Sequence, residues 1–179
     1  MITENQPRPA TRPTLVIGAA IATFALAMSL ATARGATAED IARGQEIWAN
    51  KAGCPTCHGW AGIGAGGGFH SEGRAASLRD TKLTRDEIRM TIQCGRPGTP
   101  MPHFDRFAYT DKRCYGMTAE ELGNVAPTRA STTLQPHEID ALADYVATKI
   151  KGAGPVTRTQ CRDYFGANAG ANCDRYPEG

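Results

Sequence analysis

The feature that most constrains this chain is the pentapeptide Cys54-Pro55-Thr56-Cys57-His58. Two thiols three positions apart, followed directly by an imidazole, match the spacing that attaches c-type haem. Each thiol adds across one vinyl group of the haem, and the adjacent histidine reaches the iron. The segment therefore predicts one covalently bound haem c, held by Cys54 and Cys57, with His58 as the proximal iron ligand.

Two other kinds of site use paired cysteines. A thioredoxin-like redox pair lies in a βαβ unit, and a zinc site needs a second ligand pair at a similarly short spacing. The sequence shows neither pattern. The other four cysteines form no second short pair; they are Cys94, Cys114, Cys161 and Cys173. Covalent haem is therefore the favoured interpretation.

The N-terminus has the layout of a secretory signal. Arg8 and Arg12 precede an apolar run from Leu15 to Leu30, and small residues follow as far as Ala38. The run is shorter than the roughly 20 apolar residues of a spanning helix. We therefore expect residues 1–38 to be cleaved and the protein to be periplasmic, with no membrane span in the mature form. An uncleaved anchor facing the periplasm is the alternative.

The charge of the mature chain is expected to be balanced. Cleavage leaves about 140 residues, enough for one domain with a core. Residues 1–38 contain three of the 20 basic residues and one of the 18 acidic residues, so 17 of each remain. With haem propionates added, this balance argues against nucleic acid or anionic lipid as a partner.

Four segments have the caps or the periodicity of helices; they cover about 40–50, 85–93, 119–122 and 136–149. In the second segment, Arg85 and Arg89 lie four residues apart on the side opposite Ile88 and Ile92. Such a pair usually belongs to a solvated face, which is the expectation here. A docking role is the alternative.

The loop Gly98-Thr99-Pro100-Met101-Pro102 carries the favoured distal ligand. The two prolines stiffen the backbone, which suits a thioether that must be held on a metal better than a flexible core side chain. The side chains considered for the sixth iron position are Met90, Met101, Met117, His70, His103 and His137. Met101 is favoured because its loop is rigid and its spacing lets the chain wrap round the haem, and His103 is its main rival.

The four remaining cysteines are even in number, and disulfides persist in exported proteins. Three pairings are possible. We favour Cys94 with Cys114 and Cys161 with Cys173, because each pair closes a modest loop within one region. Buried free thiols are the alternative.

In their order and spacing, these motifs resemble a class I c-type cytochrome with a single His/Met-ligated haem. The similarity covers about residues 40–150, apart from an insert at about 104–133. It implies an all-α class I cytochrome c fold, with short helices wrapped round one covalent haem and iron held by His58 and Met101. The first and last helices are expected to cross where Gly44 meets Tyr145.

The resemblance also sets domain boundaries and shows one departure. We expect a cytochrome c domain at 39–151 and a C-terminal tail at 152–179 that is pinned by a disulfide. The family commonly has Gly-Pro-x-Leu after the haem motif, and the proline carbonyl accepts a hydrogen bond from the proximal histidine. Here the corresponding stretch is Gly73-Arg74-Ala75-Ala76-Ser77-Leu78. A backbone carbonyl remains available without the proline.

The resemblance implies an electron carrier and not an enzyme. We expect a periplasmic single-haem protein that passes electrons from a dehydrogenase or a bc1-type donor to an oxidase or other acceptor. A tightly bound cytochrome subunit of a periplasmic dehydrogenase is the first alternative. A haem sensor or enzyme with a labile sixth ligand is the second.

Overall fold

The computed structural model describes residues 35–64 and 75–179. Within these ranges the α-helices are α1 (Ala38–Glu46), α2 (Pro55–His58), α3 (Arg85–Cys94), α4 (Ala119–Leu122), α5 (Pro136–Tyr145) and α6 (Arg158–Phe165). Wider π-type turns extend α1 and α5, and 3₁₀ turns follow α4 and α6; they are Ile47–Lys51, Val146–Ile150, Gly123–Val125, Gly166–Asn168 and Gly170–Arg175. The described part of the chain contains no strand, only two isolated bridges. The all-α prediction is confirmed.

The helices begin where the sequence places capping side chains. Thr84 and Thr118 form the predicted capping boxes at the starts of α3 and α4. Thr37 and Thr157 form two more, at the starts of α1 and α6. Each cap satisfies backbone N–H groups that the first helical turn leaves free, and such a cap typically contributes about 1 kcal/mol.

The main core lies where α1 crosses α5. A Cβ atom placed on Gly44 would lie 2.6 Å from Cβ of Tyr145 and still closer to the carbonyl oxygen of Ala141. The two helix backbones can approach this closely only because Gly44 has no side chain. The predicted crossing at Gly44 and Tyr145 is confirmed.

Ion pairs join α3 to α5. Nε of Arg85 lies 2.7 Å from Oδ1 of Asp144, and Nε of Arg89 lies 2.8 Å from Oδ1 of Asp140. The hydrogen bond to Asp144 also raises the pKa of Arg85. The expectation of a solvated face was therefore wrong, because both arginines form ion pairs with α5. The acidic partners lie more than 50 residues further along the chain, so the local sequence does not show them.

Two sequence features fall outside the described residues. The apolar run at 15–30 is one, and the segment 65–74, which contains His70, is the other. In the ranges that the structure does describe, no helix has both the length and the apolar character needed to cross a bilayer.

The crossing predicts the effect of filling the gap at Gly44. Gly44→Ala should lower the free energy of unfolding by about 1–3 kcal/mol, because the added methyl group must displace the α5 backbone. Urea titration of the haem-loaded protein measures this change. Ala42→Ser, which adds one atom to the exposed side of the same helix, should be close to neutral. Equal stability of the two variants would contradict the close approach.

Candidate haem site

The helical turn α2 gathers the side chains of the haem motif. The backbone N–H groups of Cys57 and His58 donate to the carbonyl oxygen of Cys54 at 3.2 and 3.0 Å. Residues three and four positions apart share one side of a helix, so both thiols and the imidazole lie along the same side. Cys54 and Cys57 are also the described cysteines that form no disulfide.

His58 lies against the main core with one ring nitrogen unsatisfied. Its ring centroid is 6.1 Å from that of Trp48. Nδ1 is buried, and no acceptor meets it at hydrogen-bond geometry. Burial lowers the pKa of His58, and the carbonyl of Ala76 opposes this shift. The lowered pKa keeps the imidazole neutral, the form that binds a metal.

A close backbone approach explains how Ala76 reaches this ring. Gly64 has φ of +72°, and a Cβ atom there would lie 2.7 Å from both the carbonyl carbon of Ala76 and the nitrogen of Ser77. Gly64 N–H also donates to the His58 carbonyl oxygen at 2.9 Å. Ala76 stands two residues before Leu78, where the resemblance places proline. The departure from Gly-Pro-x-Leu therefore leaves a carbonyl near His58.

Burial affects the Cys54 thiol as well. Desolvation raises its pKa to about 12, and Cys57 adds to the shift. Cys54 therefore stays a neutral thiol at neutral pH. Two thiols and a neutral imidazole on one helical side are the donor set that covalent haem requires, and the residues present fit that cofactor.

Met101 lies at the edge of the same core. Both Met101 and Cys54 are partly buried and pack against the cluster that includes Trp48. The backbone at Met101 is held closely, since a Cβ atom on Gly95 would lie 2.7 Å from the Met101 carbonyl oxygen. That oxygen also accepts a hydrogen bond from Arg96 N–H at 3.2 Å.

His103 has partners of its own. Its Nδ1 lies 2.9 Å from the carbonyl oxygen of Asp105, and its ring meets Tyr109 edge-on at 6.0 Å between centroids. The side chain is 8% exposed. His103 is thus packed towards the insert.

The other candidates for the sixth position occupy different surroundings. Met90 and Met117 pack against a small cluster built round Cys94 and Cys114. His137 is exposed in the first turn of α5. His70 lies outside the described residues.

Both favoured disulfide pairings are confirmed. Cys94 bonds to Cys114, and Cys161 bonds to Cys173. The first bond joins the end of α3 to the insert. Two tyrosines of the insert support it, since Tyr109 Oη donates to the Cys94 carbonyl oxygen at 2.7 Å and Tyr115 Oη donates to that of Gly95 at 2.9 Å.

The C-terminal tail packs against the chain just after the haem motif, which sequence reasoning missed. Trp60 is surrounded by the rings of Tyr164, Phe165 and Tyr176, at centroid distances of 5.3 to 5.8 Å. The Cys161–Cys173 disulfide belongs to the same cluster. The capping pair Thr157 and Gln160 was the available signal for α6.

Arg79 holds the start of this tail in place through hydrogen bonds. Its buried guanidinium donates to the backbone carbonyls of Ala61, Ala153, Gly154 and Pro155 and to Oε1 of Gln160. A cleft of about 410 Å³ remains between the tail and α2, with Pro55, Thr56 and Trp60 in its wall.

The all-helical fold and the Cys-x-x-Cys-His turn are features of c-type cytochrome domains. Residues 39–119 match the family model described as cytochrome c oxidase, cbb3-type, subunit III. The matched region is just under half of the chain. A cytochrome c domain implies covalent haem c, and the family match supports an electron-transfer role for residues 39–119.

Three solved structures are similar to parts of the chain. The reducing HAO-like protein complex of Kuenenia stuttgartiensis is 21% identical over 64% of this chain and 46% of its own, with a TM-score of 0.42. The c-type cytochrome SorU from Sinorhizobium meliloti is 21% identical over 64% of this chain and 93% of its own, with a TM-score of 0.37. Oxidised cytochrome c₆A from Arabidopsis thaliana is 24% identical over 68% of this chain and 100% of its own, with a TM-score of 0.41.

The alignment thus spans less than half of the chain from the HAO-like complex. No curated protein matches at a significant level. Likeness at these TM-scores does not extend to partners or substrates, so the class of protein rests on the family match and on the motif in α2.

Proposed function

We propose that this chain is an exported class I cytochrome that carries electrons by means of a single haem. Cys54 and Cys57 bind the haem covalently, and His58 and Met101 are the axial iron ligands. When bound, the haem supplies one-electron chemistry between ferrous and ferric iron. The donor is a dehydrogenase or a bc1-type complex, and the acceptor is an oxidase or other redox protein.

The observation that carries this proposal is the convergence of the haem motif and Met101 on one core cluster. Trp48 contributes to that cluster and also contacts the His58 ring. The rival His103 is already engaged with Asp105 and Tyr109. Two strong axial ligands leave no open iron position, which favours electron transfer over substrate chemistry at the metal.

A fixed subunit of a larger complex is the second candidate. The matching family model describes a subunit of an oxidase, and the insert adds surface beyond the haem shell. This candidate shares the haem chemistry and differs in how long the chain stays with its partner. Copurification from the source periplasm distinguishes a free carrier from a subunit.

Met101 supplies the most direct test of the axial ligands. Met101→Ala should abolish the weak near-infrared sulfur-to-iron charge-transfer band of the oxidised protein and allow carbon monoxide to bind the reduced protein. Loss of the thioether should lower the reduction potential by on the order of 0.1 V, within the span of about 0.8 V that axial ligands control. Met117→Ala is the matched control and should keep the band. Survival of the band in Met101→Ala would reject the assignment.

Export and covalent attachment predict the mass of the mature protein. Mass spectrometry after acid-acetone extraction should show one haem on a chain that begins near Glu39. Cleavage after Ala38 would remove Thr37, whose side chain caps α1, so α1 should fray by about one turn in the mature protein. A chain that still begins at Met1 would support the anchor, and extractable haem would refute the proposal.

The Cys94–Cys114 disulfide should help to hold Met101 on the iron. The bond closes a segment of 20 residues that contains Met101, and the loop-entropy estimate for that length is roughly 3 kcal/mol. In the double variant Cys94→Ser with Cys114→Ser, the sulfur-to-iron band should therefore disappear at a less alkaline pH than in the parent. On heating, it should also disappear at a lower temperature.

The tail disulfide provides the control for this variant. Cys161→Ser with Cys173→Ser removes a bond that lies in the cluster round Trp60. This variant should have a lower free energy of unfolding, but its sulfur-to-iron band should disappear at the same pH and temperature as in the parent. If the double variant at Cys94 and Cys114 keeps its band to the same pH and temperature as the parent, the disulfide does not help to hold Met101 on the iron.

A further inference from the structure

The insert carries an unusual share of exposed apolar surface. Among the described residues, the exposed large hydrophobic side chains are Phe107, Tyr115 and Val125, which are 44–45% exposed. All three lie within the insert at about 104–133, and the family match at 39–119 covers Phe107 and Tyr115 but not Val125. Contiguous exposed apolar patches mark interaction surfaces, and these three side chains share one segment of the chain.

Hydrogen bonds place this surface beside the Met101 loop. Tyr115 Oη donates to the Gly95 carbonyl oxygen at 2.9 Å, and Gly98 N–H donates to the Val125 carbonyl oxygen at 2.8 Å. His103 N–H, two residues after Met101, donates to the Thr128 carbonyl oxygen at 3.0 Å. The insert therefore borders the loop on both of its sides.

Three exposed arginines accompany the apolar side chains. Arg96, Arg106 and Arg129 have no carboxylate within salt-bridge distance in the described part of the chain. The Arg106 guanidinium lies over the Phe107 ring at 4.4 Å, and Nη2 of Arg129 donates to the Arg106 carbonyl oxygen at 3.3 Å. These contacts join the two arginines to Phe107.

Three of the four acidic side chains of the insert are ion-paired, two of them with the same arginine. Asp105 and Asp111 pair with Arg113, and Glu121 pairs with Lys112. Only Glu120 has no described ion-pair partner. The four acidic and four basic side chains of residues 104–133 balance, and Arg96 from the neighbouring loop brings the region to a net charge of +1. The positive charge without a described ion-pair partner lies on the three arginines.

We propose that the insert patch, formed by Arg96, Arg106, Phe107, Tyr115, Val125 and Arg129, docks an acidic redox protein. This inference rests on the proposed function, because it places the patch beside the loop of the axial Met101. The partner's carboxylates pair with the three arginines, and its apolar side chains cover Phe107. Once docked, one electron passes between the ferrous haem and the partner's oxidised centre, with no proton or group transferred.

The composition of the patch favours a protein over a lipid surface. Aromatic residues and arginine are enriched at protein interfaces, where lysine is depleted, and the one lysine of the insert is already paired. The Cys94–Cys114 disulfide and the tyrosine hydrogen bonds hold the insert in place before a partner arrives. Such preorganisation reduces the entropy cost of binding.

Charge reversal at two arginines tests the patch. The probe is a strongly acidic blue-copper protein, and the readouts are its calorimetric dissociation constant with both proteins oxidised and the second-order rate of electron transfer. Arg106→Glu with Arg129→Glu should weaken binding and slow transfer by about tenfold or more at roughly 10 mM ionic strength. The difference should shrink at about 1 M salt.

A matched control separates local from overall charge. Arg43→Glu with Lys149→Glu changes the net charge equally at exposed positions on α1 and just after α5, and it should have less than about a twofold effect. Phe107→Ala should weaken binding several-fold at both salt concentrations, and Phe107→Leu should restore part of it. An equal effect of the two double variants would overturn the proposal.

Two further outcomes are informative. The Arg106→Glu with Arg129→Glu variant is also tested for binding to vesicles of anionic lipid. If it loses this binding but transfers electrons to the copper protein at an unchanged rate, the proposal is overturned and the patch binds a membrane surface. The sulfur-to-iron band and the reduction rate by a small neutral reductant report on the carrier function itself. Both should be unchanged in every patch variant, so a failed docking experiment is distinguishable from a failed haem assignment.

Discussion

The close contact between α1 and α5 positions the residues round the haem motif. Gly44 lets the two backbones meet at Ala141 and Tyr145, and Trp48 lies one turn further along the chain, in the π-type turn that extends α1. The Trp48 ring is 6.2 Å from that of Tyr145 and 6.1 Å from that of His58, measured between centroids. Its Nε1 donates to the Trp60 carbonyl oxygen at 3.2 Å, after the motif. The Trp48 indole thus connects the helix crossing to the last residue of α2 and to the chain just after it.

Two smaller clusters extend this core, and each contains a disulfide. The cluster in the insert surrounds Cys94 and Cys114, and the cluster in the tail surrounds Cys161 and Cys173. A domain of this size has limited apolar area, and covalent links compensate for satellite clusters too small to be stable alone. The insert and the tail thus each carry their own covalent reinforcement outside the main core.

Local signals in the sequence predicted much of the fold and of the haem motif. The capping residues Thr84 and Thr118 act within one helical turn, and the Cys54 to His58 spacing is itself a local geometry. The crossing at Gly44 followed from resemblance to a family. The ion pairs of Arg85 and Arg89 did not follow, because their partners on α5 are distant in sequence and nothing near the arginines identifies them.

The contacts of the insert and the tail were also beyond local reasoning. Nothing in the sequence round Trp60 shows that Tyr164 and Phe165 will cover it, since that depends on where α5 ends and how the chain returns. Likewise, the glycine at position 64 looks like part of a loop. Only the structure shows that it lets Ala76 pass close enough to influence His58.

The full burial of the disulfide cysteines bears on how readily their bonds exchange. Thiol–disulfide exchange proceeds through attack of a thiolate on a disulfide sulfur. Cys94, Cys114, Cys161 and Cys173 are at most 1% exposed in the folded chain, so their bonds are shielded once formed. Cys54, with its raised pKa, is a poor nucleophile. Exchange at either disulfide therefore requires the chain to open locally, so the lifetime of both bonds under reducing conditions is set by the stability of the clusters round them.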